Sequence, residues 1–135
     1  MNYRMFIDGK WVESDSEETF TKINPANLEV IGGFQKGNER DVKKAVDAAE
    51  SAFDEWSEIP APIRGEILFR AGELLIEKKE ELARTITMEM GKVLLEARGD
   101  VQEAIDMAFY AAGEGRRLFG RTTTSELKEK FAMAI

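Results

Sequence analysis

Carboxylates, lysines, arginines, tyrosines and hydroxyls are the whole chemical repertoire of this chain, which contains no cysteine and no histidine. The first absence removes thiol nucleophiles, thiolate metal sites and disulfides. The second removes the usual general base, the Ser-His relay and the commonest transition-metal ligand. Acidic spacings such as Glu77 with Glu80 and Glu81, or Glu96 with Asp100, arise on any acidic helix. An acid–base pair would need one member desolvated by apolar neighbours, and these windows supply none, so they read as solvated faces. Lys92 after Gly91 could act as a nucleophile only if deprotonated, and nothing beside it in sequence favours that. Gly113-Glu114-Gly115-Arg116-Arg117-Leu118 comes nearest to a dinucleotide fingerprint. It lacks the third glycine and follows a helical pattern rather than a strand, so it reads as a helix terminus. Arg116 and Arg117 sit beside Glu114 and read as a salt-bridging surface rather than an anion site. There is no Walker A loop and no transition-metal ligand spacing.

Composition narrows the class further. The chain has 135 residues, 43% hydrophobic and 33% charged, which suits one globular domain with a modest core. Nineteen basic against 26 acidic residues give a net charge of −7, which argues against nucleic acid and anionic membranes as partners. The opening residues lack a signal-peptide core and no apolar run reaches membrane-spanning length, so a cytoplasmic location is expected.

The elements that must position these groups divide in two. Residues 1–36 read as short strands and hairpins. Arg4–Asp8 and Trp11–Glu13 flank Asp8-Gly9-Lys10, and Asp-Gly favours a tight hairpin because both residues tolerate positive φ. Alternation from Glu17 to Ile23 predicts a half-buried strand, Asn24-Pro25-Ala26-Asn27 a turn in which the asparagines cap or turn left-handed, and Glu29–Phe34 a returning strand. Gly32 and Gly33 in that strand suggest a bulge or a close backbone approach.

Over 38–120 the period changes to 3.6, predicting three or four amphipathic helices. Asn38 is a plausible N-cap, and Val42, Ala45, Val46, Ala49, Phe53 and Trp56 form one stripe. After Pro60-Ala61-Pro62, Ile63, Ile67, Ala71, Leu74 and Leu75 form the next. Leu82, Ile86 and Met90 follow a break, with Gly91 placed for a left-handed C-cap. Leu94, Val101, Ile105, Ala108, Phe109 and Ala112 mark the last helix. Residues 121–130 read as a polar loop leading to an apolar strand, Phe131–Ile135, as if the chain stopped partway into its next element. The class is α+β, with a β-rich start, a helical middle and a C-terminal strand.

Several stretches, in this order, resemble the aldehyde dehydrogenase superfamily. They are Phe6–Val12, Ile23–Gly32, the Ala-Ala-x-x-Ala-Phe-x-x-Trp pattern within Val42–Trp56, Arg64–Ala71, Glu89-Met90-Gly91-Lys92 and Phe109–Gly113. Glu96–Val101 and Gly113-Glu114-Gly115 resemble the semialdehyde dehydrogenase branch. The resemblance implies an incomplete aldehyde dehydrogenase fold, a single segment (residues 1–135) that precedes the dinucleotide-binding sheet. In the complete enzymes a cysteine thiolate attacks the aldehyde, hydride passes to NAD or NADP, and the thioester is hydrolysed. The corresponding cysteine, base glutamate and cofactor contacts lie downstream. No catalytic or cofactor-binding residue carries over, and the chain alone is expected to be inactive and to bind no cofactor.

Weaker carry-overs also follow from the resemblance. Some members bind a monovalent cation at positions matching Lys22, Ile23 and Glu89. Gly99, Asp100, Glu103 and Ala104 match a helix face at the mouth of the substrate channel. Phe131–Ile135 matches the start of the oligomerisation arm, so self-association through that strand and through exposed helix faces is expected. The alternative is a stand-alone structural or oligomerisation module built on the same fold.

Overall fold

The computed structural model describes residues 2–117, 119–125 and 127–134. Five short strands come first: β1 Asn2–Tyr3, β2 Met5–Ile7, β3 Lys10–Val12, β4 Thr19–Ile23 and β5 Val30–Gln35. Four helices follow: α1 Glu39–Glu58, α2 Ala61–Glu77, α3 Lys79–Met90 and α4 Leu94–Glu114. Strands β6 Arg121–Thr124 and β7 Phe131–Ala134 form a separate antiparallel ribbon.

β2 and β3 pair around Asp8-Gly9, whose φ values of 52° and 70° give the doubly left-handed loop that a two-residue hairpin requires. β1, β5 and β4 form a second sheet in that order, β1 parallel and β4 antiparallel to β5. Register places Tyr3 opposite Phe34 and Phe34 opposite Phe20. Their rings follow, with centroids 4.6 Å and 5.8 Å apart, an aromatic ladder across all three strands. Both expectations for the paired glycines hold. The register slips where Lys22 faces Gly32 but Ile23 faces Val30, leaving Ile31 as the extra residue of a bulge. A Cβ on Gly33 would lie 2.6 Å from Asn2 Oδ1, so β1 comes close only because that position is bare.

In the turn after β4 the asparagines cap. Asn24 Oδ1 accepts from the Ala26 amide and Asn27 Oδ1 from the Glu29 amide, while Leu28 takes the left-handed conformation at φ 63°. The half-buried strand expected around Phe20 is mostly exposed, with Lys22 its one half-covered residue.

α2, α3 and α4 form the bundle that holds the core: Ala83, Ala97, Val101 and Ile105 are buried, with Leu75, Leu82, Ile86, Leu94 and Phe109 packed against them. α2 and α4 approach as closely as bare backbone allows. A Cβ on Gly65 would sit 2.6 Å from the Ala112 carbonyl oxygen, and one on Gly115 would sit 2.5 Å from that of Ala61. Gly72 lies under the Phe109 ring. Gly91 closes α3 in the left-handed conformation at φ 77°, its amide donating to the Thr87 carbonyl.

α1 stands apart. It rests on the β2–β3 hairpin and has no more than glancing contact with the bundle. Its stripe of Val42, Val46, Phe53 and Trp56 stays exposed, Phe53 at 63%. One expectation is corrected here. The segment read as a loop after residue 120 contains β6, which supplies the partner for β7, pairing Arg121 with Ala134 through Thr124 with Phe131. A run of three threonines has β-branched side chains that favour extended backbone, but it carries no apolar alternation to reveal the strand. The outer faces of the ribbon remain open, with Phe131 70% exposed.

Candidate functional site

The carboxylates and cations with displaced pKa values owe them to partners within the chain. Glu80 accepts from Arg98 Nε and Nη2 and also pairs with Arg84. The Arg98 hydrogen bond is the main reason its carboxyl is held below the ordinary range. Lys92 Nζ donates to both oxygens of Asp100, at 2.9 Å and 2.6 Å. That bond, with the charges of Asp100, Glu96 and Glu103 behind it, raises the Lys92 pKa. An ammonium held in this way is a cation with a structural partner and not a nucleophile. Arg117 pairs with Glu114 at 2.6 Å and lies over the Tyr110 ring, the salt-bridging surface expected from the sequence. Gly113-Glu114-Gly115 ends α4, as its pattern implied.

Among the described residues the one buried carboxylate belongs to Asp41, 4% exposed at the start of α1. Asn38 and Asp41 form a reciprocal capping box: Asn38 Oδ1 accepts from the Asp41 amide, and Asp41 Oδ2 accepts from the Asn38 amide. Asp41 also takes the Ser14 hydroxyl at 2.6 Å and the Asp15 amide at 3.1 Å, tying the β3–β4 loop to the helix. The Ser14 bond, then the Asn38 amide, hold its pKa below the ordinary carboxylate range. The three-residue spacing of Asn38 and Asp41 could have revealed the box, but no sequence signal marked Ser14.

The expected cation residues lie on two elements. Lys22 and Ile23 straddle the β-bulge, and Glu89 is the penultimate residue of α3. The structure brings these elements together, because a Cβ on Gly91 would lie 3.1 Å from Pro25 Cγ. The end of α3 therefore abuts the turn that follows Ile23. Glu89 has no ion pair and there is no cluster of three His, Cys, Asp or Glu side chains among the described residues. Two backbone carbonyls and one free carboxylate are oxygen donors of the kind a hard, singly charged cation accepts. Gly99, Asp100, Glu103 and Ala104 share one face of α4 across two successive turns. All but Asp100 are exposed, and a Cβ on Gly99 would meet nothing within 4 Å.

The comparisons with known proteins decide the lineage. The aldehyde dehydrogenase family model matches residues 11–135. The chain belongs to the aldehyde dehydrogenase family. It is 46% identical over 116 residues to an alpha-ketoglutarate semialdehyde dehydrogenase of Haloferax volcanii, covering 85% of this chain and 24% of that protein. It is 40% identical over 116 residues to a malonate-semialdehyde dehydrogenase of Bacillus pumilus, covering 86% and 24%. An NAD-dependent aldehyde dehydrogenase from Sinorhizobium meliloti superposes with a TM-score of 0.89 at 33% identity, over 98% of this chain and 27% of that one. An NADP dependent enzyme from E. coli superposes at 0.91 and 31% identity, with shares of 98% and 27%. The chain thus spans about a quarter of the length of the aldehyde dehydrogenases it matches, corresponds to their N-terminal portion, and has an incomplete form of their fold. No helix among the described residues is long and apolar enough to cross a membrane.

Proposed function

We propose that this chain is the scaffolding N-terminal portion of a cytoplasmic aldehyde dehydrogenase that oxidises a semialdehyde, and that alone it neither binds NAD or NADP nor turns over substrate. The observation that carries this reading is the pairing of 46% and 40% identity to semialdehyde dehydrogenases with a composition that holds no cysteine. The family's aldehyde chemistry needs a thiolate, and hydride transfer needs a bound dinucleotide, whose contacts the family resemblance places downstream of this segment. We infer that residues 1–135 act as one segment. Within it Lys22, Ile23 and Glu89 would hold a monovalent cation, and the α4 face carrying Gly99, Asp100, Glu103 and Ala104 would border the substrate channel of the complete enzyme.

The test is direct. The purified chain, mixed with malonate semialdehyde and either NAD or NADP, should form no reduced nicotinamide, and calorimetric titration with either dinucleotide should show no heat of binding. Saturable binding or turnover would overturn the reading.

A second reading, a self-associating module, is favoured by the β6–β7 ribbon with Phe131 and Met133 exposed. Aldehyde dehydrogenases are typically oligomers, and an apolar ribbon with open edges invites another strand. A monodisperse monomer by light scattering would eliminate it.

A further inference from the structure

We propose that the cleft where α2 meets the end of α4 is a binding site for a carboxylate, anchored by Arg64. The cleft has a volume of about 260 Å³ and is walled by Trp56, Ile67, Leu68 and Ala111. Arg64 is the one charged residue that lines it. Its guanidinium makes no ion pair and no side-chain hydrogen bond among the described residues, and its Nε is buried without an acceptor. With its Nε shut off from solvent and no acceptor on its other nitrogens, the guanidinium has its remaining N–H donors to offer an acceptor from elsewhere. The guanidinium is already placed, with Cζ 5.9 Å from the centre of the Trp56 ring, which limits the freedom lost on binding. Nothing local competes for it. The first turn of α2 carries no acidic residue, and Pro60 gives that helix end no side-chain cap. Helix N-termini favour negative charge, so the backbone reinforces the arginine.

The ligand these features fit is a carboxylate with a short apolar tail. A planar guanidinium offers a carboxylate two parallel N–H donors, and the aliphatic walls take the tail. Such a group can arrive as a small free acid or as an Asp or Glu side chain preceding an apolar residue in a segment that packs here. Both sources share the same recognition chemistry.

The experiment uses the 135-residue chain in NMR titrations that follow the Trp56 indole N–H and the amides of Ala61, Ile63, Arg64 and Gly65. Sodium propionate should shift these signals saturably, while propionamide, its neutral counterpart, should not. Acetyl-Asp-Leu-amide binding at least about tenfold tighter than propionate would identify a protein segment as the natural occupant, and the reverse order a small acid. Arg64→Gln should weaken propionate binding at least about tenfold, and Arg64→Lys, which keeps charge but loses the fork, should fall between. Equal shifts with propionamide, no saturable shift at all, or a folded Arg64→Gln chain that binds propionate unchanged would each overturn the proposal. The propionate–propionamide contrast stands even if the glutamine variant does not fold.

Discussion

α1 and the α2–α4 bundle are written in the same hydrophobic period, yet they end in opposite circumstances. In the bundle the stripe of α4 is closed over: Ile105 is 3% exposed and glycines let α2 and α4 touch backbone to backbone. In α1 the stripe faces outward, with Phe53 at 63% exposure. The difference shows that amphipathic spacing tells which face of a helix is to be covered and leaves open what covers it. Although Ile63, Ile67 and Leu74 of α2 stay open, α4 finds its cover within residues 61–114. α1 does not, in a chain a quarter as long as its relatives.

Truncating both stripes breaks or sharpens that contrast most strongly. Ile105→Ala should cost about 2–5 kcal/mol, because it leaves a cavity in a closed core. Phe53→Ala should change stability by less than about 0.5 kcal/mol, because that ring is already wet. Chemical denaturation of the two variants checks this, and equal losses would show that α1 is covered in solution. Next in size is a glycine pair. Gly65→Ala gains about 1 kcal/mol of helix propensity but drives a methyl into the Ala112 carbonyl, and overpacking of about 1–3 kcal/mol should win. Gly99→Ala meets open space and should stabilise by about 0.5–1 kcal/mol. Melting temperatures moving in opposite directions would confirm that the bundle has one closed and one open side.

The smallest effect tests what holds α1 in place. Asp41 is more acidic in the fold than an ordinary carboxyl, chiefly through Ser14, so its charged form is the stabilising one. Its contribution is complete above the usual carboxylate range and disappears as pH falls through the lower folded-state value. Asp41→Asn should therefore lower the melting temperature at neutral pH and flatten the acid limb of the stability profile below about pH 4. An acid limb identical to the parent's would show that other carboxylates govern it.

Much of the fold was legible because it rests on local chemistry. Asp8-Gly9 specified its hairpin through positive φ, Asn38 its cap, Gly91 its left-handed stop, and the 3.6-residue period gave four helices. What stayed hidden depends on contacts distant in sequence. β6 was invisible because threonines show no apolar alternation, and Ser14 because its bond to Asp41 crosses 27 positions. Nothing in the sequence marked Gly65 on α2 or Gly115 at the end of α4 as points where the two helices meet backbone to backbone. The family was readable from short motifs in order. The Arg64 cleft was not, since an arginine in a helical stripe gives no sign of lacking a partner.

The parallel pairing of β1 with β5 bears on the order in which the molecule assembles. Asn2 and Tyr3 lie beside Gly33 and Phe34, so the first strand waits until about thirty later residues have been made and the β4–β5 hairpin has closed. A two-residue strand at an edge is a poor nucleus. It should add last during folding and be the first to exchange its amide protons with solvent, so the opening residues of the chain report on local fraying long before the helices let go.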